Sequence, residues 1–98
     1  MNSKDLLTIK KIVNKYIDPN IYSVFVFGSQ ATGNTTRSSD LDIAIEGPNL
    51  DSTIYFNILS EFEESDLPYT TDLVELNKVS KSFKKKAKSK TIPVNYKL

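Results

Sequence analysis

A small polar segment between two apolar runs constrains this chain more than any other feature. Residues 23–27 (SVFVF) are β-branched and aromatic, and residues 41–45 (LDIAI) alternate in polarity, so both runs predict strands. The segment between them, GSQATGNTTRSS, is typical of a loop, with room for one helical turn that begins near Ser29. Strands joined in this way can pair as antiparallel neighbours in one sheet.

The rest of the chain alternates between helical and strand periodicities. Helices are predicted at 3–17, from a cap at Asp51 or Ser52 to a point before Pro68, and at 79–87; strands are predicted at 72–76 and 92–96. The strand–helix–strand unit is the usual parallel crossover. We therefore expect an α/β (α+β) fold, a small mixed sheet backed by helices on one side. The whole chain, 1–98, is predicted to be a single domain with a lysine-rich C-terminal helix and tail from about 78.

The missing residue types limit the chemistry that this chain can perform. Its 98 residues include no cysteine and no histidine. Thiolate nucleophiles, Ser-His-Asp chemistry and Cys- or His-ligated metals are therefore excluded. Carboxylates with a hard cation are the natural alternative. The chain is also short, so an acceptor substrate is expected to be presented by another molecule rather than by a second domain.

Three aspartates form the candidate metal site. Asp40 and Asp42 are two apart on a predicted strand, so their side chains point to one face with Cα atoms about 7 Å apart. Two such carboxylates repel each other unless a cation lies between them, and Mg²⁺ binds through one or two carboxylates together with waters and phosphates. Through the parallel crossover, Asp72 would lie at the same edge as Asp40.

Gly28, Ser29 and Arg37 are the candidate phosphate-binding residues. Gly28 follows the first strand and allows backbone to approach a phosphate closely, while Ser29 offers a hydroxyl and the backbone of a helical start. Arg37 can add positive charge on a triphosphate. Each feature alone is commonly a plain turn or a solvated acid. Their combination, in this order and on these elements, favours a phosphate and metal site.

Charge is distributed unevenly along the chain, although the net charge is only +1. Residues 1–77 carry a balance of −7, and residues 78–98 carry eight lysines and no acid. A solvated helix face is the simplest interpretation of the lysine run. Contact with an acidic partner or with RNA stays open as an alternative.

The motif FGSQATGNTTRSSDLDIAIEG resembles the signature of the DNA polymerase β-type nucleotidyltransferase superfamily: Gly-Ser, about ten residues, then Asp-x-Asp. The later DLPYTTDLVEL resembles the third-carboxylate strand of the minimal nucleotidyltransferases, or MNT proteins, which are often the antitoxin half of HEPN–MNT toxin–antitoxin pairs. The resemblance covers roughly residues 5–80. Many relatives have arginine where Gln30 and Thr32 stand. Without these two cations, triphosphate binding would be weaker or would depend on Arg37 or the lysine-rich tail.

The resemblance implies a polymerase β-like fold and a role for each matching residue. Asp40 and Asp42 would hold two Mg²⁺ ions, and Asp72 would complete the metal site or act as base. Gly28 and Ser29 would hold the phosphates of ATP or another NTP. The implied reaction is transfer of AMP to a tyrosine hydroxyl of a HEPN toxin, which is the expected partner and the expected route to oligomerisation.

Three other functions stay open at this point. The chain can be a binding-only antitoxin that masks its partner, an enzyme that modifies a small molecule, or one that modifies an RNA end. The intact acidic set disfavours masking alone, because buried acids with no function would be costly. With no apolar run of about 20 residues and no signal peptide, we expect a cytoplasmic protein without membrane contact.

Overall fold

The computed structural model describes residues 1–33 and 40–95, in which helices and strands alternate. The helices are α1 (Ser3–Tyr16), α2 (Ser29–Thr32), α3 (Ser52–Glu64) and α4 (Lys81–Ala87). The strands are β1 (Ser23–Phe27), β2 (Asp40–Glu46), β3 (Thr70–Glu75) and β4 (Ile92–Pro93), and a 3₁₀ turn covers Leu76–Lys78. Every predicted element is present, and the α/β class is confirmed.

The four strands form one mixed sheet in the order β3-β2-β1-β4. β1 pairs antiparallel with β2 and with β4. β3 pairs parallel with β2, as expected for a crossover through α3. β3 begins two residues before its predicted start at Asp72, so this aspartate lies inside the strand rather than at its first position.

One face of the sheet carries the larger core, between the strands and the two long helices. Val26, Leu41 and Ile43 are fully buried there, packed against Ile9 of α1 and Ile58 of α3. Side-chain caps fix where both helices begin. Asn2 accepts a hydrogen bond from the Asp5 amide at 2.8 Å, and Asp51 accepts one from the Thr53 amide at 2.8 Å.

The opposite face is also covered, so the expectation of helices on one side only is wrong. Phe25, Phe27 and Ala44 pack there against Leu76 and Ala87, and α4 supplies the cover. The physical reason is that β1 is apolar on both faces and would otherwise leave two phenylalanines in water. α4 itself begins at Lys81 instead of 79, because Ser80 caps it by accepting a hydrogen bond from the Phe83 amide at 3.1 Å.

The last strand is shorter than the predicted 92–96. β4 contains only Ile92 and Pro93, which lie opposite Val26 and Phe25. Its short length suits an edge strand that contains a proline, since proline has no amide to donate to a ladder. Tyr96 lies outside the described residues. In the described part of the chain, no helix combines the length and the apolar character needed to cross a bilayer.

Candidate active site

Three aspartates lie on one face of the sheet, the side that α4 covers. Asp42 lies directly opposite Asp72 in the parallel β2–β3 register, and opposite Phe27 in the antiparallel β1–β2 register. Residues in register project to the same face, as do residues two apart, so Asp40 lies on this face as well. Adjacent strands are about 4.8 Å apart, which makes Asp42 and Asp72 near neighbours. The catalytic and metal-binding roles of these residues stay predictions.

The electrostatics of the cluster centre on Asp42. Burial raises the pKa of the Asp42 carboxyl above its ordinary value, and the charges of Asp72 and Asp40 raise it further. Asp42 is half-buried, whereas Asp40 and Asp72 are exposed. Among the described residues, no lysine or arginine forms an ion pair with Asp42 or Asp72. A cation bound between the carboxylates would relieve the repulsion.

The aspartate oxygens suit Mg²⁺, but the protein alone does not supply all the ligands that the ion needs. Within residues 1–33 and 40–95, no three acidic side chains converge closely enough to ligate one metal ion together. Mg²⁺ does not need such a cage, because it binds through one or two carboxylates and takes its other ligands from water and substrate phosphates. The pairs Asp40–Asp42 and Asp42–Asp72 offer that number of hard oxygen ligands. We therefore expect nucleotide and metal to bind together.

Gly28 brings the backbone of the β1–α2 turn against this cluster. It has φ of 72° and ψ of −151°, a conformation open to glycine and costly for other residues. A Cβ added at Gly28 would collide with Oδ2 of Asp42, and it would lie 3.3 Å from the Asp42 Cγ. Glycine is thus required here twice, for the turn itself and for the close approach to the carboxylate.

The remaining phosphate-site candidates are only partly placed by the structure. Ser29 is half-buried and is the first residue of α2, directly after Gly28. Arg37 lies outside the described residues, so its role as a nucleotide ligand stays a prediction. Gln30 and Thr32, where the family resemblance led us to expect arginine, both lie on α2.

Gln30 has a structural role that the sequence did not reveal. It is buried, and its Nε2 donates a hydrogen bond to the backbone oxygen of Asp40 at 3.2 Å. This bond ties α2 to the first residue of β2 and so holds the Gly-Ser turn beside the aspartates. Gln30 is the one glutamine in the segment from Gly28 to Ser39, which is rich in small residues, but the sequence did not indicate its partner.

Tyr55 provides a similar link on the other side of β3. Its hydroxyl donates a hydrogen bond to the backbone oxygen of Leu73 at 2.8 Å, which joins α3 to the strand that carries Asp72. Burial raises the pKa of the Tyr55 hydroxyl, and the charge of Asp72 adds to this effect. The hydroxyl therefore stays protonated and keeps its donor role at neutral pH.

Comparison with known proteins agrees with this geometry. The family model "Polymerase beta, Nucleotidyltransferase" matches residues 8–95, which include all four strands and the three aspartates. The chain belongs to the polymerase β nucleotidyltransferase family. This nucleotidyltransferase is 35% identical over 86 residues to the probable protein adenylyltransferase MntA of Haemophilus influenzae, a match that covers 86% of the chain and 73% of MntA. The resemblance to the MNT proteins is thereby confirmed.

Solved structures of related complexes have the same fold. A chain of a toxin–antitoxin complex with AMP-PNP aligns with a TM-score of 0.73 at 23% identity, over 92% of this nucleotidyltransferase and 72% of that chain. A chain from a complex of a tri-AMPylated Shewanella oneidensis HEPN toxin with an MNT antitoxin aligns with a TM-score of 0.71 at 22% identity, over 97% and 72%. At such identities the likeness establishes the fold, and the predicted polymerase β-like architecture is confirmed.

Proposed function

We propose that this nucleotidyltransferase transfers AMP from ATP to a hydroxyl group of a HEPN-type toxin and so acts as an antitoxin. The observation that carries the proposal is the register of Asp42 with Asp72, with the Gly28 backbone packed against the Asp42 carboxylate. That arrangement gives hard oxygen ligands beside a turn that a phosphate can approach. The H. influenzae relative is named a probable protein adenylyltransferase, which supports the donor and the class of acceptor.

In the proposed reaction, an acceptor oxygen attacks the α-phosphorus of ATP in line with the leaving group. The bond to the β-phosphate oxygen breaks, pyrophosphate leaves, and the hydroxyl proton passes to Asp72 or to solvent. Asp40 and Asp42 would hold Mg²⁺, which when bound supplies positive charge at the phosphate oxygens and lowers the pKa of the acceptor hydroxyl. Gly28 and Ser29 would orient the phosphates, since Gly28 lies against Asp42 and Ser29 follows it at the start of α2.

The partner is proposed from the relatives and from the exposure of the aspartates. The aligned chains come from complexes described as toxin–antitoxin and as HEPN toxin with MNT antitoxin. The cluster includes the exposed side chains of Asp40 and Asp72, so a protein hydroxyl can reach it from solution. A tyrosine of the toxin is the acceptor suggested by the family resemblance.

Titration of the toxin separates catalysis from simple masking. An enzyme meets each target only briefly, so a small amount of it should neutralise an excess of toxin when ATP and Mg²⁺ are present. Intact mass of the toxin should rise by about 329 Da for each transfer, because the AMP unit is retained and pyrophosphate is lost. Inhibition that needs equal amounts, with no change in toxin mass, would show a binding-only antitoxin.

A further inference from the structure

A pocket of about 280 Å³ lies beside the carboxylate cluster, on the same side of the sheet as α4. Its walls come from the end of β1, from α2, from α4 and from the segment after α4. The residues that matter for its chemistry are Phe27, Gly28, Thr32, Phe83, Lys86 and Lys90. Phe27 and Phe83 meet edge to face with ring centroids 6.0 Å apart and form an apolar wall.

Four lysines of the C-terminal region form two pairs with different surroundings. Lys84 and Lys88 both bind the carboxylate of Glu46, at 3.1 and 2.9 Å, and this acid balances one of their two charges. Lys86 and Lys90 line the pocket instead, and neither forms an ion pair within residues 1–33 and 40–95. In the part of the chain that the structure describes, no acidic residue lines the pocket. Two positive charges without a counter-charge therefore border one cavity, which favours an anionic ligand.

The pocket and the carboxylate cluster share Gly28. This residue is part of the pocket wall, and its Cα faces Oδ2 of Asp42. Phe27, also in the wall, is the register partner of Asp42. A ligand that places one phosphate at the carboxylates would therefore have its neighbouring phosphates at the pocket mouth.

α2 has no positive charge of its own for those phosphates. Thr32 lines the pocket but is uncharged, and Gln30 is buried with its amide bound to the Asp40 backbone. Three phosphates carry several negative charges, which protein sites commonly balance with lysine or arginine. In this chain the lysines that border the pocket come from the C-terminal region.

We propose that this pocket binds the β- and γ-phosphates of the NTP, with Lys86 and Lys90 in contact with the phosphate oxygens. The inference rests on the proposed function and adds to it the residues that hold the leaving group. It also gives the C-terminal lysine run two separate tasks. Lys84 and Lys88 fix α4 to β2, and this positions Lys86 and Lys90 at the pocket.

Calorimetric titration with pyrophosphate, MgATP and AMP tests this assignment. The test variant is Lys86→Gln/Lys90→Gln. The matched control is Lys81→Gln/Lys85→Gln, which removes the same charge from two exposed lysines outside the pocket. We expect the affinity for pyrophosphate and MgATP to fall at least about tenfold in the test variant and to change less than about twofold in the control, while AMP affinity stays constant. The KM for ATP should rise by the same factor.

Several results would overturn the inference. One is equal pyrophosphate affinity in the two variants, and another is absence of pyrophosphate binding by the parent protein. A loss of AMP affinity that matches the loss for pyrophosphate would assign the pocket to the nucleoside end instead. Failure of the proposed function would give a different result. Pyrophosphate binding would still depend on Lys86 and Lys90, but the toxin would gain no mass. Equal melting temperatures of the two variants would exclude unfolding as the cause.

Discussion

Replacing Gly28 by alanine should damage the active site more than the fold. The backbone at Gly28, with φ of 72° and ψ of −151°, lies in a region that costs a non-glycine residue about 1–3 kcal/mol. For a domain near 100 residues, such a loss lowers the melting temperature by roughly 5–20 °C. The added methyl group must also displace the Asp42 carboxylate, since it would collide with Oδ2 and lie 3.3 Å from Cγ.

The displaced carboxylate gives the larger effect. A carboxylate is the mobile end of its side chain, so it rotates away and the chain still folds. A misplacement of about 1 Å in a site of this kind can cost about 100-fold in rate. We therefore expect Gly28→Ala to lower AMP transfer about 100-fold and to weaken MgATP binding, measured at a temperature where the variant remains folded.

Gly33→Ala is the matched control for this prediction. Gly33 has a similar φ of 77°, but among the described residues no atom lies within 4 Å of a Cβ placed there. The control should lose about 1–2 kcal/mol of unfolding free energy from the left-handed backbone alone and keep its activity. Urea unfolding gives the stability of both variants, and intact mass of the toxin gives the transfer rate. If the two variants retain equal activity, the close approach of Gly28 to Asp42 has no catalytic importance.

Two further predictions concern stability. Burial and the charges of Asp72 and Asp40 raise the pKa of Asp42, so its ionised form destabilises the fold. With Mg²⁺ chelated, Asp42→Asn should therefore raise the free energy of unfolding at pH 7. This gain should fade as the pH falls towards 3.8, the ordinary pKa of the group in the unfolded chain. If urea titration shows a gain in unfolding free energy that persists at acidic pH, or a loss of unfolding free energy at pH 7, the pKa of Asp42 is not raised in the fold. Thr71 has a buried hydroxyl without a hydrogen-bond partner in the described structure, so Thr71→Val should raise the unfolding free energy by about 1 kcal/mol, and a lower melting temperature would refute it.

The sequence predicted the elements of this fold well where periodicity and capping residues agree. β1, the loop and β2 follow from an apolar run, a small polar segment and an alternating run. α3 begins after Asp51, as its capping side chain indicates, and the crossover makes β3 parallel to β2. These features are local, so a single sequence contains the information that specifies them.

The placement of α4 could not be predicted in the same way. An entirely apolar strand such as β1 indicates burial on both faces, but not which helix covers each face. The choice depends on distant contacts, such as those of Ala87 with the phenylalanines of β1. The length of β4 was overestimated for a related reason. Pro93 lies on an edge strand and has no amide to donate, so the hydrogen-bonded pairing with β1 is short.

In the candidate site, too, features that depend on local spacing could be predicted, and those that depend on tertiary contacts could not. The shared face of Asp40 and Asp42 was predicted from their spacing, and the crossover correctly placed β3 beside β2. Asp72 was expected at the start of β3 near Asp40, whereas it lies inside the strand, opposite Asp42. The approach of Gly28 to Asp42, the bond from Gln30 to the Asp40 backbone and the position of Lys86 at the pocket are tertiary contacts. The lysine run gave no sign of which members would pair with Glu46, since that acid lies about forty positions earlier in the chain.

Nucleotide transfer by the variant Asp40→Asn/Asp42→Asn tests the metal-site assignment most directly. With α-labelled ATP, Mg²⁺ and the toxin partner, we expect a rate at least about 100-fold below that of the parent, since bound metal lowers the barrier by several kcal/mol. The melting temperature should not fall, because like charges are removed. Asp66→Asn, at an exposed acid between α3 and β3, should transfer label at the parent rate. Label transfer by the double variant at the parent rate would show that Asp40 and Asp42 do not hold the catalytic metal.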